Sequence, residues 1–223
     1  ASTRSRHAQG LLSDVDLLAA ESQAATSEAE LNRAQAGQAN ARMQLNRLLG
    51  RRLDAPFAPV DEFAYAPVAV SLEEALAQAL TGRLELQQAR DNLALREKEL
   101  AVSDPAFTPA GRLAEVRLAV ARAKLELVEA ETGILLEVRQ NHQAVLEAQA
   151  RIPLQEKNLT RAKESLRITA VRYDAGLVNA VDLIDAQRAA FGAETQVIQA
   201  VFDYNLALAR FAKSAGYPFS ERP

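Results

Sequence analysis

Cysteine and tryptophan are both missing from this chain of 223 residues, and aromatic side chains of any kind make up only 5% of it. Without cysteine there is neither a disulfide framework nor a thiolate metal site. With so few large rings a compact core of ordinary composition is not expected, because aromatics supply much of the buried area of a globular domain. No run of about 18 apolar residues occurs, which excludes a transmembrane helix. No series of alternating segments of about ten residues occurs either, so this chain alone is not expected to supply a membrane barrel. Lysine and arginine are dispersed among acids, and the formal net charge is −3. A nucleic-acid surface needs the opposite balance.

Catalytic signatures are missing as well. Neither histidine, His7 or His142, has a glutamate three residues before it, so the Glu-x-x-His iron motif of helical bundles is absent. No H-E-x-x-H, G-x-S-x-G, phosphate-binding loop or dinucleotide fingerprint is present. Asp182 and Asp185 could imitate a carboxylate dyad, but nothing nearby supplies a nucleophile or a sugar-binding aromatic platform. No enzymatic activity, cofactor or metal is expected, and both histidines read as surface residues.

What remains is rich in helix formers. Roughly one residue in five is Ala, and Leu, Glu, Gln and Arg are plentiful. Small Ala faces suit long helices packed closely along their length. Leu113, Val120, Leu127 and Ile134 recur every seven residues. After a four-residue step, Val138, Val145, Ile152, Leu159, Leu166 and Tyr173 do the same. That pattern predicts one long helix over about 112–174, with a stutter that locally unwinds a coiled coil. Pro153 lies inside it and predicts a kink. A second helix is expected over about 180–214, with Ile184, Phe191 and Ile198 on one stripe beside Val201 and Leu208. An earlier one is expected over about 14–49, stopped by Gly50.

Residues 54–71 contain Pro56, Pro59 and Pro67 and predict an extended segment with one short strand near 63–65. Ser71, with Glu74 three residues on, caps a short helix to about Leu80. Thr81-Gly82 breaks it, and another helix follows over about 84–102. Pro105 and Pro109 mark a second break. The expected division is 1–53, a hairpin tip and returning helix; 54–110, an extended segment with short helices; 111–216, a long helical hairpin; and 217–223, a tail.

One turn occurs twice. Gly176, Leu177, Asn179 and Asp182 stand at the same offsets as Gly10, Leu11, Ser13 and Asp16. Gly takes the left-handed position that ends a helix, and Asn or Ser then caps the next one. The serine and aspartate of the first copy have capping-box spacing. Each copy therefore predicts a tight antiparallel helical hairpin. Without gaps, residues 6–50 match residues 172–216 at roughly a quarter of positions, which points to an internal duplication.

In these residues the sequence resembles the bacterial outer-membrane efflux proteins, the TolC-like outer-membrane factors. The resemblance is carried by RYDAGLVNAVDLIDAQRAAF, DYNLALARFAKSAG, LNRLLGRRLDAPF and VSLEEALAQALTGRLELQQARDNLALREKEL, and it covers residues 6–216. It implies a mainly all-α chain whose long antiparallel coiled-coil hairpins build part of a trimeric α-barrel, with a short extended equatorial segment. It also implies an adaptor protein docked at the periplasmic tips and, through it, an inner-membrane pump for efflux or type I secretion. The complete family protein reaches the outer membrane through strands. Here the leading helix and first strand pair are expected to be absent. Only AVSDPAFTPAG stands where the second pair should be, so the β-barrel is expected to be missing from this chain.

The resemblance implies site roles too. Asp182 and Asp185, three apart and so on one helical face, would line the pore entrance as rings of negative charge that favour cations. Asp182 acting only as a cap is the plainer alternative. Asp16 and Tyr173 are the implied tip latch; Tyr173 is also the last heptad residue of the long helix. A relative's latch arginine is replaced here by Val178. Gly10, Leu11, Leu12, Ser13, Gly176, Leu177, Val178 and Asn179 are the implied adaptor-docking tips. A soluble coiled-coil scaffold, docking through its tips without conducting, is the alternative function.

Overall fold

The computed structural model describes residues 7, 8, 10, 13–58, 71–103 and 105–217, the side chain of Asp16 excepted. The expected strand near 63–65 and the tail beyond 217 lie outside them. The described helices run in order α1 (Asp14–Leu48), α2 (Leu72–Gly82), α3 (Leu84–Ala101), α4 (Ala110–Asp174) and α5 (Ala180–Ala215). Among the described residues there is no strand, so the fold is all-α as expected. None of these helices is long and apolar enough to cross a membrane.

The 65 residues of α4 make it about 100 Å long at 1.5 Å per residue. Pro153 lies within it and the helix continues through that position. The stutter is visible in what the helix buries. Val120 and Ile134 before it, and Val138, Val145 and Ile152 after it, are all buried. The four-residue step keeps one stripe pointing inward after the helix has drifted out of heptad phase.

Two compact units divide the chain. One comprises Ala1–Phe63 with Gln155–Val197, the other Ala64–Leu154 with Ile198–Pro223; α4 and α5 contribute to both. The second unit holds the larger core. Ala75 and Ala79 of α2 and Leu86 of α3 meet Ile134, Val138, Val145 and Ile152 of α4, and Val201, Tyr204, Phe211 and Ala215 of α5. His142 lies against Phe211 with ring centroids 5.7 Å apart, so this histidine helps to close the core rather than standing alone on the surface.

The expected stripe on α5 needs correction. Val201 is buried, but Phe191 and Ile198 are exposed. The other buried positions are Ala180, Ala190, Ala200, Tyr204, Ala207, Phe211, Ser214 and Ala215. Alanines let the helix lie close to its neighbours, with Tyr204 and Phe211 filling the same face, while Phe191 and Ile198 turn outward. Another difference concerns the first break. Helix α2 continues through Gly82, and the joint is Arg83, whose extended backbone (φ −76°, ψ 124°) ends α2 and begins α3. Ser71 caps α2 as predicted, its Oγ accepting from the Glu74 N–H at 3.2 Å.

Candidate functional site

The hairpin tip between α4 and α5 is built by local hydrogen bonding. Gly176 has φ +74°. Its N–H donates to Tyr173 O at 3.0 Å, and Leu177 N–H donates to Arg172 O at 2.8 Å. That pair of bonds is the Schellman arrangement, which satisfies carbonyls the helix leaves open at its end. The chain restarts at once. Asn179 Oδ1 accepts from Asp182 N–H at 2.8 Å, and Asp182 Oδ2 accepts from Asn179 N–H at 3.1 Å. This reciprocal box satisfies two amide donors with three residues of separation.

Asp182 thus caps its helix and is also exposed. Asp185, one turn on, is exposed and lies 3.4 Å from Arg188 of the same helix. Negative charge in a helix's first turn is favoured by the amide dipoles there. Arg188 also donates to Gln23 of α1. Gln23 lies 13 residues past Gly10, and Arg188 lies 12 past Gly176. A contact at matched distances brings the two tips to the same end of their unit.

At the first tip Gly10 has φ +70°, and its N–H donates to His7 O at 2.8 Å. His7 is not a bystander: its Nε2 lies 2.7 Å from Asp14 Oδ1, linking the incoming segment to the first turn of α1. Sequence reasoning missed that pair, and the seven-residue offset across a turn gave no periodic signal for it. Leu11, Leu12 and the side chain of Asp16 lie outside the described residues. Tyr173 is half-buried, Val178 half-buried, and Leu177 and Asn179 exposed.

The far ends of both hairpins repeat the same turn. Gly50 (φ +65°) and Gly216 (φ +77°) are the remaining left-handed glycines among the described residues. Arg51 N–H donates to Asn46 O at 2.8 Å, as Tyr217 N–H donates to Ala212 O at 3.0 Å. All four glycines fall at the paired positions of the duplication. After the first of these turns, buried Asn46 holds the departing chain, its Nδ2 donating to Leu53 O (3.1 Å) and Ala55 O (2.9 Å).

Arg83 organises the other end of the second hairpin. Its side chain is only 15% exposed. Nη1 donates to Glu137 Oε2 at 3.1 Å and to the Ser214 carbonyl at 3.0 Å. Nε and Nη2 donate to the two oxygens of Glu85 at 3.1 and 3.2 Å. Burial works against the guanidinium charge. The hydrogen bonds that Arg83 donates to Glu85, with the charges of Glu137 and Glu85, more than offset it, so the Arg83 pKa rises. The same hydrogen bonds from Arg83, first, then the backbone and the nearby cations Arg83 and Lys213, hold the Glu85 carboxyl below the usual range. No group of three or more potential metal ligands occurs among the described residues.

The outer membrane efflux protein family matches residues 107–217, which take in α4, its tip turn and α5. The chain belongs to that family. Solved channels agree with this efflux-protein fold. The outer-membrane channel OprN superposes with a TM-score of 0.79 at 19% identity, over 98% of this chain and 59% of OprN. The outer membrane protein VceC from Vibrio cholerae gives 0.73 at 17% identity, over 97% of this chain and 61% of VceC. CusC gives 0.73 at 16%, over 96% and 60%. The efflux-protein chain therefore spans about three-fifths of each of these channels, and at such identities the likeness is one of fold. No curated protein sequence matches it.

Proposed function

We propose that this chain is the periplasmic tunnel part of an outer-membrane efflux or type I secretion channel. In this reading three copies close side by side, their paired tips dock an adaptor protein, and the adaptor links them to an inner-membrane pump. The observation that carries the reading is the pair of matched tip turns at one end of a unit, on a chain of the efflux family. Support for lateral closure comes from apolar side chains left outside the single chain. Leu118, Leu125, Leu136, Leu146 and Leu154 on α4 and Phe191, Ile198 and Phe202 on α5 are exposed. Such stripes call for neighbouring helices.

At the tip, Asp182 and Asp185 would form rings of negative charge at the pore entrance. Gly10–Ser13 and Gly176–Asn179 would dock the adaptor, and Asp16 and Tyr173 would latch neighbouring hairpins. The test is conductance of the trimer in a planar bilayer, as the complete channel protein. Asp182→Asn with Asp185→Asn should lower cation selectivity while leaving the trimer intact; unchanged selectivity removes the ring from the reading. The short turn between α3 and α4 favours a second reading, a relative that docks through its tips without conducting. An absence of any conductance from a correctly assembled trimer would favour that one.

A further inference from the structure

Helices α3 and α4 run side by side in opposite directions and meet in an open turn. Arg90 with Glu131 and Lys124 with Glu97, each pair at 3.4 Å, hold them in register. On α4 the last buried position toward the turn is Val116. At the turn itself, Val102 and Phe107 are 82% and 88% exposed, the most exposed large apolar side chains among the described residues. Pro105, Ala106 and Pro109 beside them are exposed as well.

The turn satisfies much of its own backbone. Val102 N–H donates to Lys98 O and Ser103 N–H to Leu100 O, both at 3.1 Å. Ser103 Oγ donates to Glu99 O at 2.7 Å, and Leu113 N–H donates to Pro109 O at 3.0 Å. Pro105 and Pro109 have no N–H to satisfy. Stripping water from unbonded backbone groups is the main cost of moving a segment into an apolar medium, and here that cost is small.

Two large apolar side chains at a hairpin tip are too few for a protein partner, since a stable protein interface takes about 800 Å² from each side. A lipid surface needs no complementary shape. It takes up an apolar wedge to a depth of about 5–10 Å, and aromatic rings settle at its headgroup level. Charge points the same way. Residues 96–124 hold six basic and four acidic side chains, whereas the whole chain is −3. Lys98, one turn before the end of α3, and Arg117, two turns into α4, are exposed. Neither has an ion-pair partner among the described residues, because the nearby Glu99 and Glu115 are taken by Arg96 and Arg112.

We propose that the turn between α3 and α4 is an interfacial anchor: Phe107 and Val102 enter an anionic phospholipid surface, and Lys98 and Arg117 meet its phosphates. No described helix is long and apolar enough to cross a membrane, so the contact is with one leaflet. The inference depends neither on closure of a trimer nor on transport.

The chain has no tryptophan, so Phe107→Trp makes the tip its own reporter. The full chain carrying it is titrated with vesicles of phosphatidylglycerol and, separately, of phosphatidylcholine, and its emission and flotation are followed. A blue shift that saturates on phosphatidylglycerol is expected. In the parent chain, Phe107→Asp with Val102→Asp should weaken flotation by about tenfold or more, the loss expected when large apolar side chains stay in water. Lys98→Gln with Arg117→Gln should weaken it about fivefold or more on phosphatidylglycerol and leave phosphatidylcholine unchanged. All four side chains are exposed, so the substitutions leave the core intact. No shift on either lipid, equal affinity for both, or flotation that the aspartates leave unmoved overturns the proposal. Self-association that the aspartates abolish, without lipid binding, assigns the tip to a second copy and overturns it too.

Discussion

Removing Arg83 should loosen the joint between α2 and α3, and the structure sets the size of the effect. The side chain makes hydrogen bonds to three partners. Glu85 and Glu137 are 60% and 45% exposed, so in Arg83→Ala water takes over most of their solvation, and each pair is worth about 0.5 kcal/mol. The Ser214 carbonyl belongs to a fully buried residue. Its bond to a charged donor is worth more, and losing it costs about 1–1.5 kcal/mol. The sum is about 2 kcal/mol, which for a chain of this size lowers the melting temperature by about 4–8 °C. Thermal unfolding followed by helical circular dichroism measures it. Arg83→Lys should recover less than half of the loss, because one ammonium cannot span the fork that reaches Glu85, Glu137 and Ser214 together. If Arg83→Ala melts within about 1 °C of the parent, or lysine serves as well as arginine, the joint is held by apolar packing alone and the reasoning fails.

Acid should weaken the same joint. Glu85 has a depressed pKa when folded, so its contribution is fully present above the ordinary glutamate value of about 4.3 and is lost as pH falls through the depressed value. A stability profile across that window should flatten at its acid limb in Glu85→Gln, and an unchanged profile would count against the pairing. Gly176→Ala must hold an alanine at φ +74° and should cost about 1–2 kcal/mol in denaturant unfolding. Gly37→Ala, in the interior of α1 with open space around it, should instead stabilise by about 0.5–1 kcal/mol; equal signs for the two would refute the turn assignment. Asn179→Ala should cost about 1 kcal/mol through the lost cap. Asp182→Asn should cost less, since its carbonyl oxygen can still accept from Asn179, and a loss as large as that of Asn179→Ala would mean that the charge, not the hydrogen bond, holds the turn.

How much of this was legible in the sequence depends on the range of the interaction. The turn between α4 and α5 was readable because each bond described in it joins residues at most five apart: Gly176, Leu177, Asn179 and Asp182 carry the device. The long helix was readable for the same reason, since seven-residue recurrence survives over 65 residues. The buried face of α5 was not. Apolar periodicity marks which faces want cover, but not which face receives it inside one chain, and here Tyr204, Phe211 and a set of alanines take the internal positions while Phe191 and Ile198 stay outside. Arg83 was missed because two of its three partners lie 54 and 131 positions away, and a glutamate two positions on does not distinguish it from the other arginines. His7 escaped because a link to Asp14 across a turn has neither helical nor strand spacing.

Those misses share a direction. One apolar set is buried within the chain and another is left outside it, as the proposed side-by-side assembly would require. On the buried face of α5 alanines stand beside Tyr204 and Phe211, and in the proposed assembly the exposed leucines of α4 would meet helices of another copy. The tips follow the same division. The bonds of Asn179 and Asp182 satisfy the backbone locally, which leaves Asp182 and Asp185 exposed at the end of the hairpin. Capping and a charged mouth therefore do not compete. The cap uses one carboxylate oxygen of Asp182 and an orientation, whereas the proposed electrostatic ring would need only net charge at the rim, so the two roles are compatible.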